Sequence, residues 1–474
     1  MSGIREWRSW ALRRASPIWR APLTNPFVEA IAVLLGGWLL LSVAIWNGFP
    51  LIFYDTGAYI LQGLGRVFVA ERSPVYSLFL DNAGGARSLW LVAIVQAAMV
   101  TFVLAETARC LLHHIGIGLF LLVVLLLVLL TGLPWYVGQI EPDCFTALMV
   151  LCSYLLTFHA SRLGWIRGAL ILAIGAFAAG THPSHILLIA GLVAVAAVFK
   201  ILSIVHHNRP ALAHANVMLP LLSAILGLAL IVASNYELTH KIFLNRAGSV
   251  FVFASLLQDG LVQPLLDDKC ATEHYALCAY KDHLPLTAER WLWFPESPFH
   301  RLGAFKGSAA ESQRIVIDII RNYPLGVFLS TMRDTAAQLV TFRTGDQIEP
   351  QEWVLYPDLD RFIPRQMAGY MSARQQQGRI HFGLINAVDL SVAALGQMGL
   401  IWMFVLAVRR RRWSVAILMG FLAVALLGNA FICGALSNPH DRYQSRLVWM
   451  PVFALVLMGT DRLFSLRLRA ESGT

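Results

Sequence analysis

Four short stretches hold side chains that could do chemistry, and each lies beside a long apolar run. The first is "LIFYDTGAYILQGLGRVFVAERSPVYSLFL", where Asp55 stands between Tyr54 and Tyr59 and is followed by Arg66, Glu71, Arg72, Pro74 and Tyr76. A charge at the edge of hydrocarbon costs a few kcal/mol unless it is hydrated or paired. Asp55 is therefore either part of an interface belt of aromatic and charged residues or an acid that takes a proton from a hydroxyl at the membrane surface. The second stretch, "PWYVGQIEPDCF", sets Glu141 and Asp143 in a turn framed by Pro134 and Pro142. Two acids that close could bind a cation, orient a sugar, or cap the next helix. Asp143 stands where a helix begins, a favourable place for a carboxylate. Glu141 has less structural reason to be there.

The third stretch is "GTHPSH", with His182 and His185 on one face if the segment is helical. A histidine pair can ligate zinc, but no third ligand follows at a fixed spacing. Hydrogen bonding to a phosphate or substrate and a plain loop role stay open beside it. The fourth, "LSNPHDRYQSRLVWM", carries His440, Asp441, Arg442 and Arg446 just before the last apolar run. Arginines on the outer side of a membrane are unusual. Two guanidiniums one helical turn apart can fork onto a phosphate, or Asp441 can pair with either.

The elements that must carry these residues are apolar helices. The chain has 474 residues, 57% hydrophobic and 14% charged, with mean hydropathy +0.62. Several windows of about 18–20 residues are nearly free of charge, the length of one bilayer crossing. Continuous runs such as "GIGLFLLVVLLLVLLTGLPW" exclude the short alternating strands of a β-barrel. The pattern predicts an all-α polytopic membrane protein of about ten transmembrane helices, near 27–49, 89–108, 115–134, 144–161, 168–181, 186–204, 216–234, 386–408, 414–433 and 447–463.

The net charge of +9 gathers at helix ends, which makes it topology information and not nucleic-acid affinity. Arg5, Arg8, Arg13, Arg14 and Arg20, then Arg109, then Arg162 and Arg167, then Lys200 and Arg209, then Arg409 to Arg412, and last Arg462, Arg467 and Arg469 all fall on one face. That face is the inside by the positive-inside rule, with both termini there and the basic N-terminus a retained leader. The acids and motifs collect on the outside. Three regions follow: a transmembrane module at 1–235, a mostly helical outer domain at 236–385 between spans seven and eight, and C-terminal transmembrane helices at 386–474. Cys110, Cys144, Cys152 and Cys433 sit in or at the ends of spans, whereas Cys270 and Cys278 lie in the outer segment, where an oxidising compartment would join them.

These pieces resemble the GT-C superfamily of integral-membrane glycosyltransferases, in the type that uses polyprenyl-phosphate sugars. The resemblance is carried by "FYDTGAYI…ERSPVYSLFL", an acid in the first outer loop before a Pro-x-Tyr approach to the second span. It continues in "EPDCFTALMVLCSYLL" and in "HDRYQSRLVWMPVFALVL", a basic motif leading into the last span. It covers about the first 200 residues in architecture. It implies a multi-pass protein of the bacterial inner membrane with its active face in the periplasm. A sugar would pass, with inversion, from a polyprenyl-phosphate donor in the bilayer to a lipid, glycan or protein acceptor. Asp55 would be the general base, and Arg442 and Arg446 would stabilise the departing phosphate. Tyr54, Tyr59, Arg72, Tyr76, Glu141, Asp143, His182, His185 and His440 would line the substrate site. Many members carry two adjacent acids in the first loop. Asp55 has no acidic neighbour, so the cofactor stays open between none and a divalent cation. A transporter or flippase of a lipid-linked or anionic solute, and an envelope assembly protein, remain as alternatives. The span interiors are nearly free of charge and no inverted repeat is evident, which weighs against transport.

Overall fold

The structure, a computed structural model, describes residues 21–112, 115–205, 215–351 and 355–472. The basic leader with Arg5, Arg8, Arg13, Arg14 and Arg20, and also Arg209, lie outside the described residues, as do the side chains of Arg462, Arg467 and Arg469. Among the described residues there are helices and no named strand.

The chain opens with α1 (Pro26–Leu40) and α2 (Ser42–Asn47). Asn25 caps α1 by accepting from the N–H groups of Phe27 and Val28, and Pro26 fills the first helical position. The predicted first span is thus one helix nicked at Leu41 and stopped by Gly48 in the left-handed region. Two short outer helices follow, α3 (Tyr54–Gly63) and α4 (Pro74–Asn82), and then α5 (Leu89–Leu111), α6 (Ile117–Leu130), α7 (Cys144–Phe158), α8 (Ala160–Gly180), α9 (Pro183–Val205) and α10 (Met218–Thr239). The outer segment contains α11 (Gly248–Gln258), α12 (Val262–Lys269), α13 (Ala304–Asn322) and α14 (Pro324–Val340). The C-terminal part is α15 (Phe382–Arg409), α16 (Trp413–Leu436), the short α17 (Asp441–Ser445) and α18 (Trp449–Ser472).

Among the described residues, six helices, α5, α8, α9, α10, α15 and α16, are long and apolar enough to cross a membrane, and up to eight crossings result if each bent pair, α11 with α12 (94°) and α13 with α14 (104°), is one span. The ten-span pattern is longer than this because α6 and α7 are apolar but have only 14 and 15 residues, α1 is interrupted at Leu41 after 15, and the last expected span, 447–463, runs into residues whose side chains are not described. A helix of 15 residues is about 22 Å long, short of a hydrocarbon core of about 30 Å. The physical reason is plain for α7: every residue from Cys144 to Thr157 is buried, so its length is matched to protein neighbours. By contrast α15 turns Leu395, Met398, Ile401 and Trp402 outward, the surface expected of a helix against lipid. Small residues let the helices close up. A Cβ on Gly227 of α10 would lie 2.8 Å from the Ala179 Cβ and 3.0 Å from the Ala176 carbonyl oxygen of α8.

The outer segment, read as one domain over 236–385, has two parts. Phe253, Leu265, Trp291, Phe299, Ile315 and Ile319 form a core of their own. Farther along, Leu355, Leu359, Ile363 and Tyr370 join the main core with Phe49, Ile52, Tyr59 and Tyr76. Gln375 fastens this second part to the first outer loop by accepting from the Ile52 N–H at 3.0 Å and donating to the Ile52 carbonyl at 2.6 Å. Between the two parts, α14 lies against α16 so closely that a Cβ on Gly434 would sit 2.6 Å from the Asp334 carbonyl oxygen.

Cys270 and Cys278 are joined by a disulfide that closes a loop of sequence separation 8. Loop-closure entropy puts its contribution at about 2–3 kcal/mol. Protein purified without reductant should yield the linked peptides by mass spectrometry, and the paired Cys→Ser variant should melt several degrees lower. Free thiols in such a preparation would overturn the assignment.

Candidate functional site

One end of the helix bundle brings three segments of remote sequence together. Leu51 donates its N–H to the Gly138 carbonyl and accepts from the Ile140 N–H, each at 2.9 Å. Thr56 adds a second tie: its hydroxyl accepts from the Phe53 N–H and donates to the Ile140 carbonyl, each at 3.0 Å. The start of α3 is therefore stitched to the turn before α7, and Asp55 is held beside Glu141 and Asp143. The third segment is α17. It is anchored by Asn429 in α16, which donates to the Tyr443 carbonyl at 2.7 Å and to Gln444 Oε1 at 2.9 Å, and by a hydrogen bond between the Tyr136 and Ser445 hydroxyls.

The result is a chain of alternating charges. Arg72 grips Asp55 Oδ1. Both terminal nitrogens of Arg442 donate to Asp55 Oδ2 at 3.3 Å. The Nε of Arg442 lies 3.8 Å from Asp143 Oδ2, and Arg446 donates to Asp143 Oδ1 at 2.6 Å. Arg446 also reaches Asn429 Oδ1 at 3.3 Å. Its side chain is fully buried, whereas those of Asp55, Arg72 and Arg442 keep 12–13% of their surface open. Arg442 lies over the Phe53 ring at 4.3 Å, and Arg72 lies 5.9 Å from the Trp293 ring of the outer segment. Burial acts to raise Asp143, but Arg442 and Arg446 outweigh it and hold the carboxyl below its usual range.

Glu141 differs from both aspartates. It is completely buried, and neither carboxylate oxygen has a hydrogen-bond partner among the described residues. Burial, and then the negative charge of Asp55, push it well above the usual carboxylate range. Tyr59 and Tyr76 pack edge to face at 4.9 Å beneath it, and the Tyr76 hydroxyl donates to Gln96 Oε1 at 2.6 Å. Gln96 in turn donates to the Gln139 carbonyl at 2.9 Å, bracing the turn that carries Glu141.

The histidines are engaged locally. His185 donates from Nδ1 to the Ala178 carbonyl at 2.7 Å, so its Nε2 accepts from the Thr146 hydroxyl at 2.6 Å. Both ring nitrogens are then occupied, which removes His185 as a metal ligand. His182 meets Ser184 through Nδ1 at 2.7 Å, and its ring lies 5.4 Å from that of His185. Tyr54 and His440 stand aside from the charge chain: the Tyr54 hydroxyl donates to Glu349 at 3.2 Å, and the His440 N–H donates to Gln338 at 2.9 Å. Asp441 accepts from the Arg343 N–H at 2.6 Å and pairs with neither Arg442 nor Arg446.

No group of three or more His, Cys, Asp or Glu side chains suited to a metal ion occurs among the described residues. A cation would have to displace guanidiniums from Asp55 and Asp143, so the donor set does not fit a divalent ion. Asn429, Gln96 and Trp293 belong to the site although the motifs did not include them. Asn429 and Gln96 each carried a local signal, as a polar residue deep in an apolar run, and Trp293 carried none.

A buried ion pair broken on one side is strongly destabilising. Arg446→Met should therefore lower the unfolding free energy by roughly 3–5 kcal/mol, read as a lower melting temperature in detergent. A melting curve superimposable on that of the native protein would refute the dependence of Asp143 on Arg446.

No family model matches the chain, and neither does any curated protein or solved structure.

Proposed function

We propose that the protein is an inverting membrane glycosyltransferase that moves a sugar from a polyprenyl-phosphate donor to an acceptor hydroxyl at the outer face of the membrane. The observation that carries this is the buried gathering of Arg72, Arg442 and Arg446 around only two paired carboxylates, Asp55 and Asp143. Burial pushes both Glu141 and Glu71, the neighbour of Arg72, towards the uncharged form, so three guanidiniums face two paired carboxylates, and the surplus positive charge suits a phosphate diester. An apolar groove of about 490 Å³ runs over α10, lined by Leu228, Ala229, Val232, Ala233, Tyr236 and Ile242. Beside it a small pocket lined by Ile231, Asn235 and Phe243 extends to Arg72. A lipid phosphate needs an apolar surface for its tail and cations for its head, and α10 borders both the open apolar groove and the small pocket that includes Arg72.

In this function the donor phosphate competes with Asp55 for Arg72 and Arg442. As the guanidiniums turn to the phosphate, Asp55 is left with an oxygen to receive the acceptor proton. Inversion requires one such base and no covalent intermediate. The arginines then stabilise the charge that develops on the departing phosphate. Neutral His182 is suited to orient the sugar: burial, and then His185 and Arg446, push it well below the usual histidine range. The wider arrangement consistent with this is ten crossings in a bacterial inner membrane, both termini cytoplasmic, and the ion-pair chain on the periplasmic side. Transport is supported only by a second ion-pair cluster, in which Arg109 and Arg167 hold Glu29 and Glu106. The fully buried α7 argues against a passage between the two clusters.

The test is transfer of radiolabelled sugar from polyprenyl-phosphate donors by the purified protein in detergent with a mixed envelope acceptor fraction. Label should appear in the acceptor and free polyprenyl phosphate should be released in equal amount. Movement of intact donor across proteoliposomes without transfer would replace this function with transport.

A further inference from the structure

Taking the transfer proposed above as given, we infer that Glu141 is the proton donor to the departing phosphate. The observation is an inventory of unused hydrogen-bonding capacity. In one buried cluster, the Nε atoms of Arg72, Arg442 and Arg446 and both oxygens of Glu141 have no hydrogen-bond partner among the described residues. Buried polar groups are nearly always partnered, so a concentration of unused ones marks a site completed by something else. Three N–H donors and the one carboxyl proton are matched by a phosphate, which offers only acceptor oxygens, and the carbonyl oxygen of the Glu141 carboxyl is the one group left over. A cation would leave the arginines unused, and a neutral sugar alone would leave the surplus positive charge.

The surroundings favour the acid form of Glu141 over the carboxylate. The groups facing it are Asp55 and Tyr59 on α3, Arg72, Tyr76 on α4, Asp143 and Arg442 on α17. Asp55 and Asp143 already hold these arginines, so a third negative charge would be both desolvated and repelled. The turn gives the side chain little freedom, since the Glu141 N–H bonds the Gln139 carbonyl at 3.0 Å and Pro142 follows.

The step balances. The bond from the anomeric carbon to the phosphate oxygen breaks, with its electron pair on that oxygen. The acceptor oxygen bonds to the anomeric carbon and gives its proton to Asp55. Glu141 gives its proton to the phosphate, which leaves as the monoanion of a monoester instead of the dianion. Proton transfer from Asp55 back to Glu141, directly or through water, restores the resting site. Asp55 and Glu141 are thus base and acid set apart by environment, one gripped by two guanidiniums and one by none.

The experiment is the pH dependence of kcat in the transfer assay for the native protein, Glu141→Gln and Glu141→Asp, with melting temperatures measured alongside. The native protein should lose rate on the alkaline side as Glu141 gives up its proton. Glu141→Gln should be about a hundredfold slower at pH 7 and lack that limb, with the donor KM changed less than threefold. Glu141→Asp keeps an acid, withdrawn by one methylene, and should be slower with the limb retained. Native kcat and an intact alkaline limb in Glu141→Gln would overturn the assignment, and so would a raised KM at unchanged kcat. Absence of transfer by the native protein at every pH would instead remove the glycosyltransferase function itself, and this role with it.

Discussion

Asp55→Asn should transfer sugar at least a hundredfold more slowly than the native protein while remaining folded and able to bind donor lipid. Asparagine keeps the size of the side chain and one acceptor oxygen, so Arg72 or Arg442 retains a partner at the start of α3. It cannot take up a proton at neutral pH. A base that accepts a proton in the transition state contributes roughly 10²–10⁴ in rate, and that factor is what the substitution removes. The control is Asp81→Asn. Asp81 pairs with Arg66 at 2.8 Å, but those side chains are 30% and 48% exposed. A surface pair of this kind is worth about 0–1 kcal/mol, so Asp81→Asn should turn over like the native protein. Both variants are compared at matched insertion by initial rate, with donor binding measured separately. Near-native turnover of Asp55→Asn would make Asp55 an ion-pair anchor for α3 and withdraw it from catalysis.

Much of the site was legible because its residues break local rules. Asp55 beside an apolar run, Glu141 and Asp143 in a two-proline turn, and Arg442 and Arg446 apart from the basic runs that the positive-inside pattern groups together all stand out against an apolar background. What could not be read was the pairing. Asp55 and Arg442 are 387 positions apart, and nothing local to either says that they meet. The alternative reading of Asp441, a pairing with Arg442 or Arg446, fails for the same reason: a nearby partner is the simplest one to propose, but the backbone of Arg343 takes Asp441 instead. That Glu141 is left without a partner while Asp55 and Asp143 are gripped by guanidiniums was hidden too, since it depends on which acid the arginines reach.

The helices were legible wherever apolar runs are long. They were less so where a helix is shielded by protein, as α7 is, because burial frees its length from the bilayer thickness. The division of the outer segment could not be seen at all. Leu355, Leu359 and Ile363 carry ordinary amphipathic spacing, and only the fold reveals that they share a core with Phe49 and Ile52 and that Tyr370 packs on Phe49. That contact has a consequence for the site. The outer segment is a clamp on the loop that presents Asp55, and Trp293 from its other part lies against Arg72.

Arg442 is where the charge chain, the aromatic stacking and the proposed phosphate site coincide, and Arg442→Ala should lower kcat by about 10²–10³, the usual loss when one preorganised donor to a developing anion is removed. Its guanidinium bonds Asp55 at 3.3 Å, lies 3.8 Å from Asp143 and covers the Phe53 ring at 4.3 Å. Among the described residues, no other side chain pairs with both aspartates. Lysine restores the charge but not the planar fork or the stacking, so it can address one carboxylate or the phosphate at a time. Arg442→Lys should therefore recover only part of the lost rate. Arg409→Ala, in an exposed basic run at the far end of α15, supplies the comparison and should transfer at the native rate. The three variants are to be measured for kcat and for donor KM at two salt concentrations. A phosphate contact in a largely buried site is weakly screened, so the Arg442→Ala deficit should persist at high salt. Equal kcat in all three variants would remove Arg442 from the chemistry and leave it as a structural link between α3, α7 and α17.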